Sequence, residues 1–204
     1  MLRSELINRV KIKLDEYSPT DVALPFDNYV GPLLDESARD LLERGPLRLI
    51  IPTSIPLAGV LYLNDKSYIP VPADYVRLYE IKYPLWKRSV RVAISRENPL
   101  YQVQENEFLK GGYGRPNVAI VETSVNGGSV MKYLECSKVV DPEGIGLTPI
   151  ATYVKTDVAE NLNDQLADAL TWLCTAKVFG VLGYGDKAGL AMERSNQSLL
   201  ALVV

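Results

Sequence analysis

The segment VGPLLDESARDLLERGP, residues 30–46, carries the clearest structural signal in the chain. Its apolar residues recur at the i, i+3 and i+4 spacing of an α-helix, and its charged residues fall on the opposite face. Gly45 and Pro46 then end the pattern, as such residues commonly do at a helix C-terminus. The spacing predicts an amphipathic helix over residues 29–44, and its apolar face requires another element to cover it.

Three more segments have the same period. Apolar residues spaced four apart from Leu6 to Leu14 predict a helix over residues 4–18. Towards the other end of the chain, the pattern predicts helices over residues 157–180 and 186–202, with glycines between them. The sequence therefore predicts a pair of helices at each end.

Residues 47–156 differ in character, because prolines and glycine-rich turns here separate short β-branched and aromatic runs. Asn126-Gly127-Gly128 lies between two such runs of similar length and predicts a β-hairpin. The predicted strands of this β insert are Val60–Leu63, Ser67–Pro70, Tyr75–Lys82, Ser89–Ser95, Val118–Thr123, Val130–Glu135 and Ala151–Val154.

The order α-α-β-α-α indicates an α+β fold, in which the terminal helices form an antiparallel helical bundle with an inserted antiparallel β region. At 204 residues we expect a single domain over 1–204. The composition, 47% hydrophobic and 23% charged, is that of a globular protein. A net charge of −3 argues against a dedicated nucleic-acid binder, so any DNA contact is expected to be local and weak.

The chain has no histidine, which removes the most common general base and neutral metal ligand. Carboxylate pairs remain formally possible, and the obvious ones are Asp74 with Glu80 and Asp35 with Glu36. Solvated charge on a helix explains the second pair, and a turn explains Asp74. We therefore expect no enzyme activity, no catalytic residues and no cofactor.

Two cysteines, Cys136 and Cys174, are too few to build a zinc site without histidine, and we expect buried, reduced thiols and no metal. The glycine clusters at 110–116 and 180–189 lack the spacing of phosphate-binding loops, so a helix–helix turn is favoured for the second. The first residues lack the apolar core of a signal peptide, and no apolar run approaches the length of a membrane span.

A basic, aromatic island lies between Arg77 and Arg96, where the only acid is Glu80. It can be the solvated face of a strand pair, or a contact surface, since Arg, Tyr and Trp are enriched where proteins meet. A subset of these residues can also face DNA. The residues that we assign to a partner interface here are Trp86, Lys87, Arg88 and Arg91.

The C-terminal residues form an uncharged apolar end, although chain ends are usually polar. They either pack against their own bundle or insert into a neighbouring subunit. The residues that we assign to a partner interface on the second interpretation are Leu199, Leu200, Leu202, Val203 and Val204.

Taken together, the segments resemble the head-to-tail connector, or adaptor, ring proteins of tailed bacteriophages, including those of crAss-like phages. The resemblance rests on four stretches and a final α-hairpin rich in alanine and leucine. The stretches are SELINRVKIKLDE, LLDESARDLLERGP, VPADYVRLYEIKYPLWKRSV and NPLYQVQENEFLKGGYGRPNVAIVE. Their order matters more than any one of them.

This resemblance implies a structural virion protein that forms a homo-oligomeric ring, commonly twelvefold, beneath the portal protein. Such a ring extends the DNA channel and docks tail or stopper proteins, after assembly in the host cytoplasm. Two alternatives from other classes remain open. One is a carboxylate-dependent glycan hydrolase that uses Asp74 or Glu80, and the other is a free cytosolic protein-binding module.

Overall fold

The computed structural model describes residues 1–17, 27–63, 65–105, 116–125, 127, 129–137, 139 and 145–202. The chain divides into two compact units. The helical unit comprises Met1–Ile51 and Thr156–Val204, and the β unit comprises Pro52–Lys155. The predicted fold class, α+β with terminal helices around a β insert, is confirmed. That the two units form one domain stays a prediction.

The α-helices of the described residues are α1 (Arg3–Tyr17), α2 (Asp27–Arg44), α3 (Pro99–Glu105), α4 (Ala167–Val181) and α5 (Gly185–Ala201). The β-strands are β1 (Thr53–Ser54), β2 (Leu61–Leu63), β3 (Lys66–Pro70), β4 (Tyr75–Lys82), β5 (Ala93–Ser95), β6 (Val118–Thr123), β7 (Met131–Ser137) and β8 (Ile150–Lys155). Short 3-10 turns occupy Leu47–Leu49, Ala159–Asn161 and Asp164–Leu166.

The helical unit is built around α4, which packs against α1, α2 and α5. Because α4 is surrounded, most of its residues are buried, whereas α1 buries only the stripe that contains Leu6, Val10 and Leu14. The α4–α5 pair is antiparallel, since Ser195 near the end of α5 donates a hydrogen bond to the carbonyl of Ala169 at the start of α4. In contrast, α1 and α4 run parallel, because Lys13 contacts Asp168 and Tyr17, one turn further along α1, contacts Trp172, one turn further along α4.

The third predicted helix begins at Ala167 rather than at residue 157, which corrects the sequence-based boundary. The preceding residues form the two 3-10 turns, with Leu162 in extended backbone between them. Asn163 caps the second turn, because its side chain accepts a hydrogen bond from the Gln165 amide at 3.0 Å. Leu166 of the second turn is therefore buried although it precedes the helix, and Leu170 and Leu173, which continue the same spacing, are buried in α4 itself.

The β unit contains two sheets that share one core. The three-stranded sheet has the order β1-β8-β4, and the five-stranded sheet has the order β2-β3-β7-β6-β5. Side chains from both sheets, such as Ile69, Leu78 and Leu134, meet in one buried cluster. The α3 helix contributes Tyr101 to a smaller cluster on the opposite face of the five-stranded sheet. Both faces of that sheet are therefore covered along β7.

Most predicted strands are confirmed to within one or two residues, and the β6–β7 pairing confirms the predicted hairpin. Asn126 and Gly128 of its turn lie outside the described residues. The predicted strand Ser89–Ser95 is shorter, since only 93–95 form β5 and Val90 makes a single bridge to Ile81. The β5–β6 pair is parallel, which a crossover connection through α3 makes possible.

Candidate interaction surface

The end of β4 leads into a loop that we call the cationic loop, residues 82–96. Five basic residues and no acidic residue lie within it. All five side chains are exposed, and the ion pair that Arg91 makes within the described part of the chain is a long one, 3.7 Å to Glu80. The bases of the loop are Lys82, Lys87, Arg88, Arg91 and Arg96. The structure thus brings the predicted basic interface residues together on one exposed segment.

Two aromatic side chains anchor this loop to the core of the β unit. The Tyr83 and Trp86 rings are in contact, with centroids 5.0 Å apart, and both are buried. The indole N–H of Trp86 donates a hydrogen bond to the carbonyl of Ser137 at 3.2 Å, and the Tyr83 hydroxyl is 2.5 Å from the Ser67 hydroxyl. These contacts fix the chain at Tyr83 and Trp86, the neighbours of Lys82 and Lys87.

The burial of Trp86 corrects its assignment as a partner residue. Only 2% of Trp86 is exposed, so its ring packs inside the β unit and offers no surface to a partner. The physical reason is that the turn from Tyr83 to Trp86 folds the indole back over the sheet, with the Trp86 amide donating to the Tyr83 carbonyl. Tyr83, which the sequence-based interpretation did not single out, has the same anchoring role.

Two backbone hydrogen bonds close the loop behind these anchors. The amides of Ile81 and Val90 each donate to the other residue's carbonyl at 2.9 Å. Beside the cations, Val92 is 70% exposed, and Leu85 is also exposed. Exposed apolar side chains among bases are typical of a protein contact, because they add buried area that charges alone do not supply.

The C-terminal residues divide between the two interpretations left open by the sequence. Leu199 is half-buried and packs against the core of the helical unit. Leu200 is 67% exposed on α5, and Leu202 is half-buried. Val203 and Val204 lie outside the described residues. Leu200 is therefore the described residue of this segment that is most available to a partner.

The candidate carboxylate pairs are held in separate contacts. Asp74 accepts a hydrogen bond from the Tyr153 hydroxyl at 2.8 Å, and Glu80 faces Arg91. Six residues of extended chain separate their backbones by about 20 Å, well beyond the roughly 5–10 Å between the two carboxylates of a glycosidase. The geometry gives no support to joint acid–base action by this pair.

The second pair, Asp35 and Glu36, belongs to ion pairs inside the helical unit. Asp35 accepts two hydrogen bonds from Arg3, at 2.7 and 2.8 Å. These bonds are the main cause of a pKa of Asp35 below its usual range. Glu36 pairs with Lys177 at 2.7 Å, as Asp40 does. Both carboxylates therefore tie α2 to neighbouring helices.

A buried polar cluster in the β unit was not predicted from the sequence. Glu135 on β7 is only 5% exposed, and it accepts a hydrogen bond from Lys66 at 2.9 Å and another from Tyr101 at 3.1 Å. The cluster fixes α3 to the outer face of the sheet. The signal that could have found it is the position of Glu135 two residues after Tyr133, which places the carboxylate and the aromatic ring on the same face of one strand.

The cysteines and glycine clusters carry no further site. Cys136 and Cys174 are buried free thiols, as predicted, and burial raises the pKa of each to about 12. The second glycine cluster forms the turn between α4 and α5, as predicted, with Gly183 at φ +80°. The first, 110–116, lies almost wholly outside the described residues.

Over the described ranges, no cluster of three or more acidic or cysteine side chains is arranged to bind a metal ion. Within the same ranges, no helix has both the length and the apolar character of a membrane span. The sequence matches no protein-family model and no curated protein with which it was compared.

Proposed function

We propose that this chain is a non-enzymatic subunit of an oligomeric ring that joins the head of a tailed bacteriophage to its tail. The observation that carries the proposal is the architecture. Both ends of the chain fold into one helical unit around α4, and a complete β unit is inserted between them. This α-α-β-α-α order is the one that the resemblance to connector proteins implies.

The division into two units suits a subunit with two kinds of contact. In a closed ring each copy uses two different surfaces, one for each neighbour, and further surface faces the layers above and below. In the proposed role the helical unit supplies contacts within the ring. In the same role the β unit offers further surface to the portal protein or to tail and stopper components.

The state of the polar side chains supports a structural role. Asp74, Glu80, Asp35 and Glu36 all take part in hydrogen bonds or ion pairs that connect secondary-structure elements. Side chains used in this way stabilise a scaffold. The net charge of −3 also suits a channel through which DNA must slide, because strong phosphate contacts would retain the DNA.

The proposal is tested by electron microscopy of particles made by the parent phage with and without the gene for this chain. We expect particles without the chain to have filled heads that lack tails or lose their DNA, and we expect plasmid-borne wild-type chain to restore tails. Normal numbers of tailed, infectious particles in its absence would contradict the proposal.

A further inference from the structure

The two units of the chain carry opposite net charge. The helical unit has 10 basic and 15 acidic residues, a net charge of −5, and the β unit has 12 basic and 10 acidic residues, a net charge of +2. The cationic loop alone carries +5. The net charge of the whole chain, −3, hides this division.

The ion pairs of Lys13 and Lys177 place their carboxylates on the outside of the helical unit. The Lys13 side chain is 13% exposed, whereas its partner Asp168 is 60% exposed. Lys177 is 16% exposed, whereas its partners Glu36 and Asp40 are 58% and 38% exposed. In these three pairs the base is the inner member and the carboxylate is the outer member, whereas the two members are about equally exposed in Arg3–Glu160 and Arg39–Glu43.

The inner positions of these bases have a physical cause. The Lys13 ammonium lies 4.1 Å from the centre of the Trp172 ring and donates to Thr171 as well as to Asp168. Lysine stems add apolar surface to the bundle, while carboxylates on short stems stay in water. None of the described acidic side chains of the helical unit is buried. The surface of the helical unit is therefore acidic.

We propose that the cationic loop of one copy docks on the acidic surface of the helical unit of a second copy. The inference rests on the proposed ring, for which it names the contact between neighbours. The exposed Leu85 and Val92 lie among the bases and supply apolar area to the contact. Complementary charge fixes the partner and its orientation, and the Tyr83 and Trp86 anchors hold the cations in place before binding.

The first test is self-association of the full-length chain, measured by analytical ultracentrifugation at high protein concentration and low salt. We expect oligomers that dissociate as the salt concentration approaches about 1 M, where charges are screened beyond roughly 3 Å. A chain that stays monomeric throughout overturns the inference, and so does association that salt leaves unchanged.

A charge-reversal variant and a matched control locate the contact. Lys87→Glu with Arg88→Glu should weaken self-association at least about tenfold, because like charges then face each other. Lys132→Glu with Lys155→Glu makes the same change in net charge at exposed residues of the same unit, outside the loop. This control should associate as the wild type does. Equal loss in both variants overturns the inference, since only net charge then matters.

Carbodiimide cross-linking of a mixture of ¹⁵N-labelled and unlabelled copies identifies the partner surface, because it joins lysine amines to carboxylates in contact. We expect mixed-label peptides that link Lys82 or Lys87 to carboxylates of the helical unit. Links confined to one copy, or links only between β units, overturn the inference. So does fluorescence anisotropy in which the reversal abolishes duplex DNA binding while self-association persists.

Failure of this inference and failure of the proposed ring can be told apart. If particles need the chain for tail attachment but the Lys87→Glu, Arg88→Glu variant attaches tails normally, the ring proposal stands and the docking contact is rejected. If particles do not need the chain at all, the proposed function is rejected whatever the variants do.

Discussion

Replacing Trp86 with alanine tests whether this residue anchors the cationic loop from inside the β unit. The side chain is 2% exposed and its indole donates a hydrogen bond to the Ser137 carbonyl. A buried tryptophan removes roughly 200 Å² from water, worth at most about 5 kcal/mol. Truncations of buried aromatic residues cost about 3–5 kcal/mol. We therefore expect the free energy of unfolding of the β unit to fall by about 4 kcal/mol.

The assay is urea denaturation followed by far-UV circular dichroism. The chain has two tryptophans, Trp86 in the β unit and Trp172 in the helical unit, so selectively excited tryptophan fluorescence of the alanine variant reports on the helical unit alone. Two control variants bracket the effect. Trp86→Phe keeps most of the ring but loses the hydrogen bond, and should cost about 1–2 kcal/mol. Lys87→Ala changes an exposed side chain and should stay within about 0.5 kcal/mol of wild type.

A Trp86→Ala variant within about 0.5 kcal/mol of wild type would refute this reasoning, because that value is typical of exposed positions. The indole ring of Trp86 would then not anchor the loop from inside the β unit, and the sequence-based assignment of Trp86 to a partner interface would again be the better explanation. A large loss for Lys87→Ala would equally contradict the division of the loop into a buried anchor and an exposed cationic part.

Asp35→Asn should remove about 1 kcal/mol at neutral pH, because the carboxylate is partly exposed and paired with Arg3. The pKa of Asp35 lies below its unfolded value, so this stabilisation is lost as the pH falls through the folded pKa. In urea titrations, the free energy of unfolding should fall less between about pH 7 and pH 3 in the variant than in the wild type. Equal falls would contradict the pairing. Gly183→Ala should destabilise by about 1 kcal/mol at φ +80°, whereas Gly189→Ala, in open space within α5, should stabilise by a similar amount in thermal unfolding; shifts of the same sign would contradict this. The two buried thiols should react with Ellman's reagent only after denaturation, since the pKa of each is about 12, and rapid labelling of the native chain would refute their burial.

Helices and strands with strong periodicity were predictable from the sequence. The predicted strands Tyr75–Lys82 and Val118–Thr123 match β4 and β6 residue for residue. The reason is that each is a run of apolar, or alternating apolar and polar, residues between clear turns. The last helix begins one residue from its predicted start. What failed is the start of α4, where turns rather than helix place leucines with helical spacing in the core.

Elements whose stability comes from distant contacts could not be found in this way. The two-residue strand β1 exists because it pairs with β8, almost a hundred residues later in the chain. The α3 helix is too short to show a period, and Tyr101 attaches it to Glu135 on the sheet. Both contacts join residues that are far apart in the chain, so local sequence patterns could not predict these elements.

The candidate site shows the same limit at the level of single residues. The sequence assigned Lys87, Arg88 and Arg91 to a partner interface, and all three are exposed, but it assigned the buried Trp86 to the same interface. Tryptophan is common both in cores and at interfaces, and only the fold decides between them. Here the fold places the ring inside, one residue before the exposed cations.

The burial of Trp86 leads to a prediction about the proposed ring. In the proposed contact, each copy offers the cationic loop of its β unit to one neighbour and the acidic surface of its helical unit to another. Contacts of this heterologous kind propagate from copy to copy and close into a ring when the rotation between neighbours divides the circle. If the proposed ring forms through this loop, the anchors Tyr83 and Trp86 should favour closure, because a loop that reorients would change the rotation between neighbours. Trp86→Phe weakens an anchor and leaves the charge of the loop unchanged, so this variant should form oligomers of more varied size than the wild type. Mass photometry measures the size distribution. A distribution identical to that of the wild type would contradict this link between burial and assembly.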